Sequence, residues 1–259
     1  MTHFHLLLLL LSALITVSFS QKILRIFPGD TQITNGNREW INNDLFCDSW
    51  RLSVETNNAG YWATIPARCR GFVEAYMKGD HYVSDSEVVA VEAIYFARDF
   101  DIAGNGKDAW IFDVDETLLS NLPYYIEVDF GSEPFNETSF DEWVELARAP
   151  ALPASLKLYN ELQRLGFSLV LLTGRSETQR NSTEKNLLFA GYKNWERLIL
   201  REASDIGKSA LIYKSEKRAQ LEAEGFVIHG SSGDQWSDLY GPPMATRSFK
   251  LPNPMYFIK

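Results

Sequence analysis

The chain has 259 residues, 45% of them hydrophobic, with two cysteines and 34 acidic against 25 basic side chains, a formal net charge of −9 at pH 7. So acidic a surface repels phosphate backbones, and with Lys217-Arg218 as its longest basic cluster the chain does not read as a nucleic-acid binder. The length suits one α/β domain with a smaller appendage, and any phosphate chemistry must rest on local positive charge and metal.

Residues 1–20 read as a signal peptide. Leu6 to Val17 is apolar but too short to span a bilayer, and Ser18-Phe19-Ser20 supplies small residues around a cut. The mature chain is therefore expected in the secretory pathway, vacuolar or extracellular, with no membrane anchor. Residues 21–60 carry turn signals such as Phe27-Pro28-Gly29-Asp30 and Asn57-Asn58-Ala59-Gly60, and read as irregular. In an oxidising compartment the pair Cys47 and Cys69 is more often a disulfide than two free thiols, contributing roughly 3 kcal/mol in the loop-entropy picture. Helical spacing covers 66–78 and 85–99, the second capped by Ser84 or Asp85, so that 21–106 forms a helical N-terminal appendage to a core at 107–259.

Ala109-Trp110-Ile111-Phe112 is an apolar run of strand length that ends in acids. A helix follows over 153–165, closed by Gly166, then a strand over 167–172 and a helix over 177–190. A strand at 198–200, a helix over 215–225 and a strand over 226–229 complete the pattern. Strands alternating with helices predict a doubly wound parallel sheet, buried on both faces. Asn136 and Asn181 each head a glycosylation sequon, in keeping with secretion.

In such a sheet ligands bind beyond the carboxyl ends of the strands. The polar groups there are Asp113-Val114-Asp115-Glu116-Thr117 after the first strand and Thr173-Gly174-Arg175 after the second. Gly233-Asp234-Gln235-Trp236-Ser237-Asp238 follows the fourth, and Tyr213-Lys214-Ser215 stands at a helix start. Asp113 and Asp115, two apart on an extended segment, point to one side. With Asp234 alongside, three acids converge, an arrangement that repulsion makes costly unless a divalent cation sits among them. All the donors are oxygens, which suits Mg²⁺ better than Zn²⁺. A carboxylate can attack phosphorus to form an aspartyl-phosphate, a second acid can move the proton, and Lys214 with the Thr173 hydroxyl can hold the phosphoryl oxygens.

FDVDET (112–117), TGR (173–175), YKS (213–215) and GDQWSDL (233–239) resemble the four motifs of the haloacid dehalogenase (HAD) superfamily, in detail its acid phosphatase branch that includes plant vegetative storage proteins. CDSWRLSVETNNAGYWATIPARC (47–69), WIFDVDETLLSNLPYY (110–125) and KLPNPMYF (250–257) extend the resemblance over nearly the whole mature chain. It implies a Rossmann-like core with a cap inserted at about 118–152, and Mg²⁺-dependent hydrolysis of small phosphomonoesters; a homodimer is compatible with it. Carried over, Asp113 is the nucleophile and a metal ligand, and Asp115 the acid/base, binding metal through its carbonyl. Thr173, Gly174 and Lys214 hold the phosphate, and Asp234 completes the metal site with Asp238 behind it. Arg175 either contacts substrate or pairs with an acid. Some storage proteins of this branch are degenerate at the nucleophile or the second motif; here all the motif residues are present, which favours activity over a storage role alone.

Other phosphatase chemistries fit poorly. After the leader only His81 and His229 remain, too few for a histidine-rich centre, and His229 is placed at the end of the fourth strand as a core or rim residue. A cysteine nucleophile would need Arg six positions on, where Ser53 and Ala75 stand. Tyr124 and Tyr125 are candidates for lining a substrate pocket.

Overall fold

Asn42 opens the first helix by accepting hydrogen bonds from the backbone of Asp44 (2.9 Å) and Leu45 (3.2 Å). The computed structural model describes residues 42–259, and the expected leader, with the turn signals up to residue 41, lies outside the described residues. Helix α1 spans Asn43–Glu55, where the sequence reads as irregular. Its buried positions Cys47 and Val54 do have helical spacing, but Leu45 and Leu52 face solvent and blur the pattern. Helix α2 (Arg70–Lys78) and helix α3 (Asp80–Ala97) follow, hinged at Gly79, so α3 starts at Asp80 and not at 84 or 85.

A disulfide joins Cys47 on α1 to Cys69 ahead of α2, with Cα atoms 5.3 Å apart. Replacing both cysteines by Ser is expected to lower unfolding free energy by about 3 kcal/mol, read as a shift of the urea midpoint.

Strand β1 (Asp108–Phe112) lies at the centre of a parallel sheet. Three helices follow it: α4 (Leu122–Glu127), α5 (Glu137–Glu145) and α6 (Pro153–Leu165). Then come β2 (Ser168–Ser176), α7 (Arg180–Phe189), β3 (Arg197–Arg201), α8 (Ala210–Ala223), β4 (Val227–Gly233), α9 (Trp236–Leu239) and β5 (Arg247–Lys250). The strand order is β3-β2-β1-β4-β5. The fifth strand escapes the sequence pattern because only Phe249 of its four residues is buried.

Alternate side chains of β1 feed the two faces. Trp110 and Phe112 join a large core with helices α3 to α6, while Ala109 and Ile111 join a smaller one with Tyr213 and Leu221 of α8. The N-terminal helices thus share one apolar core with the sheet. The chain order reverses between β1 and β4, and at that switch point, beyond the carboxyl ends, a crevice opens. His229 proves to lie near the start of β4, not its end. Its Nε2 pairs with Asp108 at 2.8 Å and its ring packs 4.4 Å from Phe100, away from that crevice.

Candidate active site

The backbone places Asp113 directly beyond β1, where its N–H extends the sheet by donating to Ser232 of β4 (2.9 Å). Asp234 follows β4, and Asp238 reaches back from α9. That return needs glycine at 233, because a Cβ there would stand 2.5 Å from the Asp238 Cβ. Lys214 comes from the second turn of α8, which Ser209 caps, so the helix starts a turn earlier than the sequence suggests. Its ammonium donates to Asp113 Oδ1 and, at 2.6 Å, to Asp238 Oδ1. All four side chains are buried.

Carboxylate oxygens of Asp113, Asp234 and Asp238 lie within 4.8 Å of one another, facing the one ammonium of Lys214. Burial first, then the carboxylates of Asp238 and Asp234, push Asp113 well above the usual range despite the attraction of Lys214. Burial, Asp238 and Glu116 likewise push Asp234 up to about 7. The cluster therefore carries an excess of negative charge that favours proton uptake, and a divalent cation would relieve the same repulsion. The donor set fits such an ion.

Asp115 stands apart from this cluster. Arg175 grips its carboxylate in a fork, with Nε at 3.0 Å from Oδ2 and Nη2 at 2.7 Å from Oδ1, and Asn121 Nδ2 adds a bond of 2.8 Å. Burial opposes its charge, but Arg175 wins and holds Asp115 below the usual carboxylate range. Arg175 is thus an acid's partner, steadied from behind by Thr183 (3.2 Å). Strand β2 continues through the Thr-Gly-Arg motif. Thr173 is fully buried, while a Cβ on Gly174 would meet nothing within 4 Å, since the position faces an open cleft.

The cleft, about 1020 Å³, has aromatic walls: Tyr61, Trp62, Tyr125, Phe135, Phe140 and Phe257. Tyr125 stacks on Tyr256 with centroids 5.3 Å apart, whereas Tyr124 packs against Phe140 and Trp143 of α5. Glu116, which no spacing rule singles out, is fully buried at φ 50°. It accepts from Asn121 N (2.5 Å), Asn121 Nδ2 (3.1 Å) and Tyr256 Oη (2.7 Å), and burial followed by the Asp115 charge pushes it up to about 7. Asn136 and Asn181 are exposed, Asn136 as the cap of α5.

The family model of the HAD superfamily, subfamily IIIB (Acid phosphatase), matches residues 32–259. The chain belongs to this family of acid phosphatases. This HAD phosphatase is 50% identical to acid phosphatase 1 of Solanum lycopersicum over 95% of this chain and 96% of that protein. It is 44% identical to the stem 28 kDa glycoprotein of Glycine max over 83% and 85% of the two chains. Vegetative storage protein 2 of Arabidopsis thaliana is 38% identical over 82% of this chain and 80% of its own. In fold the HAD phosphatase is similar to the class C acid phosphatase from Bacillus anthracis solved with tungstate bound, at a TM-score of 0.56 and 20% identity over 73% of this chain and 85% of that one. No helix among the described residues is long and apolar enough to cross a membrane.

A buried ion cluster next to the site gives the HAD phosphatase a pH signature. Asp205, in the loop before α8, pairs with Lys208 (2.9 Å) and Lys217 (3.1 Å). Burial works against its charge, but the two lysines prevail and draw Asp205 down to about 2. A depressed carboxylate adds stability above its unfolded value of about 4 and loses it as pH falls towards 2. Melting temperature should therefore drop between pH 4 and 2, with a shallower slope in Asp205→Asn.

Proposed function

We propose that the chain hydrolyses small phosphomonoesters through an aspartyl-phosphate on Asp113, with Mg²⁺ as its cation. The observation that carries this reading is Lys214 bridging Asp113 and Asp238, with Asp234 beside them, at the switch point of the sheet. An Asp113 oxygen attacks phosphorus while Asp115 gives a proton to the departing alcohol oxygen. Asp115 then takes a proton from water, which attacks the phosphorus and releases phosphate with Asp113 restored. Arg175 keeps Asp115 ionised, ready for the second step. The first step needs the protonated form of Asp115, whose share grows as pH falls. Lys214, Thr173 and the backbone at Gly174 would hold the phosphoryl oxygens. When bound among Asp113, Asp234, Asp238 and the Asp115 carbonyl, Mg²⁺ neutralises charge on the carboxylates and phosphate.

The disulfide, the exposed sequons and the similarity to stem glycoproteins support a secretory-pathway protein, vacuolar or extracellular, with a cleavable leader at 1–20. The likeness to vegetative storage proteins supports a second reading, accumulation as a storage protein with little catalysis of physiological weight. A panel of phosphomonoesters, including p-nitrophenyl phosphate, assayed at acid pH with EDTA and with Mg²⁺ restored, separates the two. Turnover that EDTA stops and Mg²⁺ recovers supports the enzyme; no turnover on any ester supports storage alone.

A further inference from the structure

Beyond β5 the segment 251–255 is buried throughout. Within it Asn253, 1% exposed, sends Nδ2 to Asp234 Oδ2 at 2.7 Å. Gln235 Nε2 reaches the same oxygen, also at 2.7 Å. Two amide donors thus occupy Oδ2, while Oδ1 meets only the Thr117 hydroxyl at 3.4 Å. The Asn253 amide is itself oriented, because its Oδ1 must accept the Met255 N–H (2.9 Å), which turns the nitrogen towards Asp234. Its backbone N–H donates to Glu55 Oε1 (2.9 Å) at the end of α1. Glu55 Oε2 also holds Lys250 (2.7 Å), and the Glu55 carbonyl takes Trp236 Nε1 (3.2 Å) from α9. A helix far upstream in sequence therefore pins the segment from which Asn253 reaches the carboxylate cluster.

We propose that Asn253 is a positioning residue for Asp234: pinned to α1 by Glu55, it fixes Oδ1 as the oxygen that Asp234 offers to a divalent cation and so sets the affinity for that ion. This rests on the metal reading above. A carboxylate tethered at one oxygen cannot rotate away from the ion, and losing such a tether typically costs 10–100-fold in affinity.

The test is calorimetric titration of Mg²⁺ into the purified full chain stripped with EDTA, with kcat measured in parallel at saturating Mg²⁺. Asn253→Ala is expected to weaken Mg²⁺ binding about ten-fold or more while kcat at saturation stays near wild type. Glu55→Ala should shift affinity in the same direction. Asn186→Ala is the control: Asn186 is equally buried and holds Ala149 through two hydrogen bonds, so its loss should lower the melting temperature and leave Mg²⁺ affinity unchanged. Wild-type affinity in Asn253→Ala overturns the proposal. If that variant fails to fold, wild-type affinity in Glu55→Ala overturns it instead. A wild-type protein that binds no Mg²⁺ overturns the metal reading as well, whereas binding that the variants match overturns the positioning role alone.

Discussion

Asp113→Asn is expected to lower kcat at least roughly 10³-fold on every phosphomonoester, because an amide cannot attack phosphorus to form the acyl-phosphate. Its melting temperature should not fall. Burial and two facing acids already disfavour the Asp113 charge, so a neutral isostere relieves repulsion, while Lys214 keeps its bond to Asp238. Steady-state kinetics with thermal denaturation of the same samples reads both effects. An inactive protein that has also lost its fold would say nothing about the nucleophile, so the retained melting temperature is part of the expected result.

Lys214→Met should damage both properties. The ammonium is the cation bonded to Asp113 and Asp238 inside the buried cluster, and removing one partner of a buried ion group typically costs about 3–5 kcal/mol. Denaturant unfolding should show that loss in EDTA, with part of it recovered when Mg²⁺ is present, since a ligand bound only by the folded state stabilises it. Activity should fall by roughly 10²–10³-fold, the usual cost of losing a group that stabilises developing charge. Combining Lys214→Met with Asp113→Asn should cost less stability than the lysine change alone, because the double variant leaves one fewer unpaired acid. Additive losses would mean that the two side chains do not interact.

The candidate site was legible because its residues sit where elementary pattern is strongest. Four apolar strands announce themselves by composition, and Asp113, Asp115, Thr173, Lys214 and Asp234 stand at or near their carboxyl ends or on the helix that follows. Arg175 was open between substrate and acid, and only the fold shows that β2 runs past Thr173 to bring its guanidinium onto Asp115. Local pattern was silent elsewhere. Helix α1 hides behind two exposed leucines, and β5 buries a single phenylalanine. Glu116 reads as one more acid in a run until its burial beneath Tyr256 and Asn121 is seen. Asn253 carries no local signal at all, since the carboxylate that pins its backbone, Glu55, lies 198 positions away. Motifs encode groups that act on a ligand; the groups that hold them in place are drawn from distant segments and become visible only in three dimensions.

Asp113 as nucleophile is tested most directly by quenching a turning-over sample in acid, digesting it with pepsin and mapping phosphate by mass spectrometry. An acid-stable, hydroxylamine-labile phosphoryl group is expected on the peptide carrying Asp113 and absent from Asp113→Asn. Active enzyme that yields no phosphorylated peptide under conditions that preserve acyl-phosphates, or that carries the group on another residue, would contradict it.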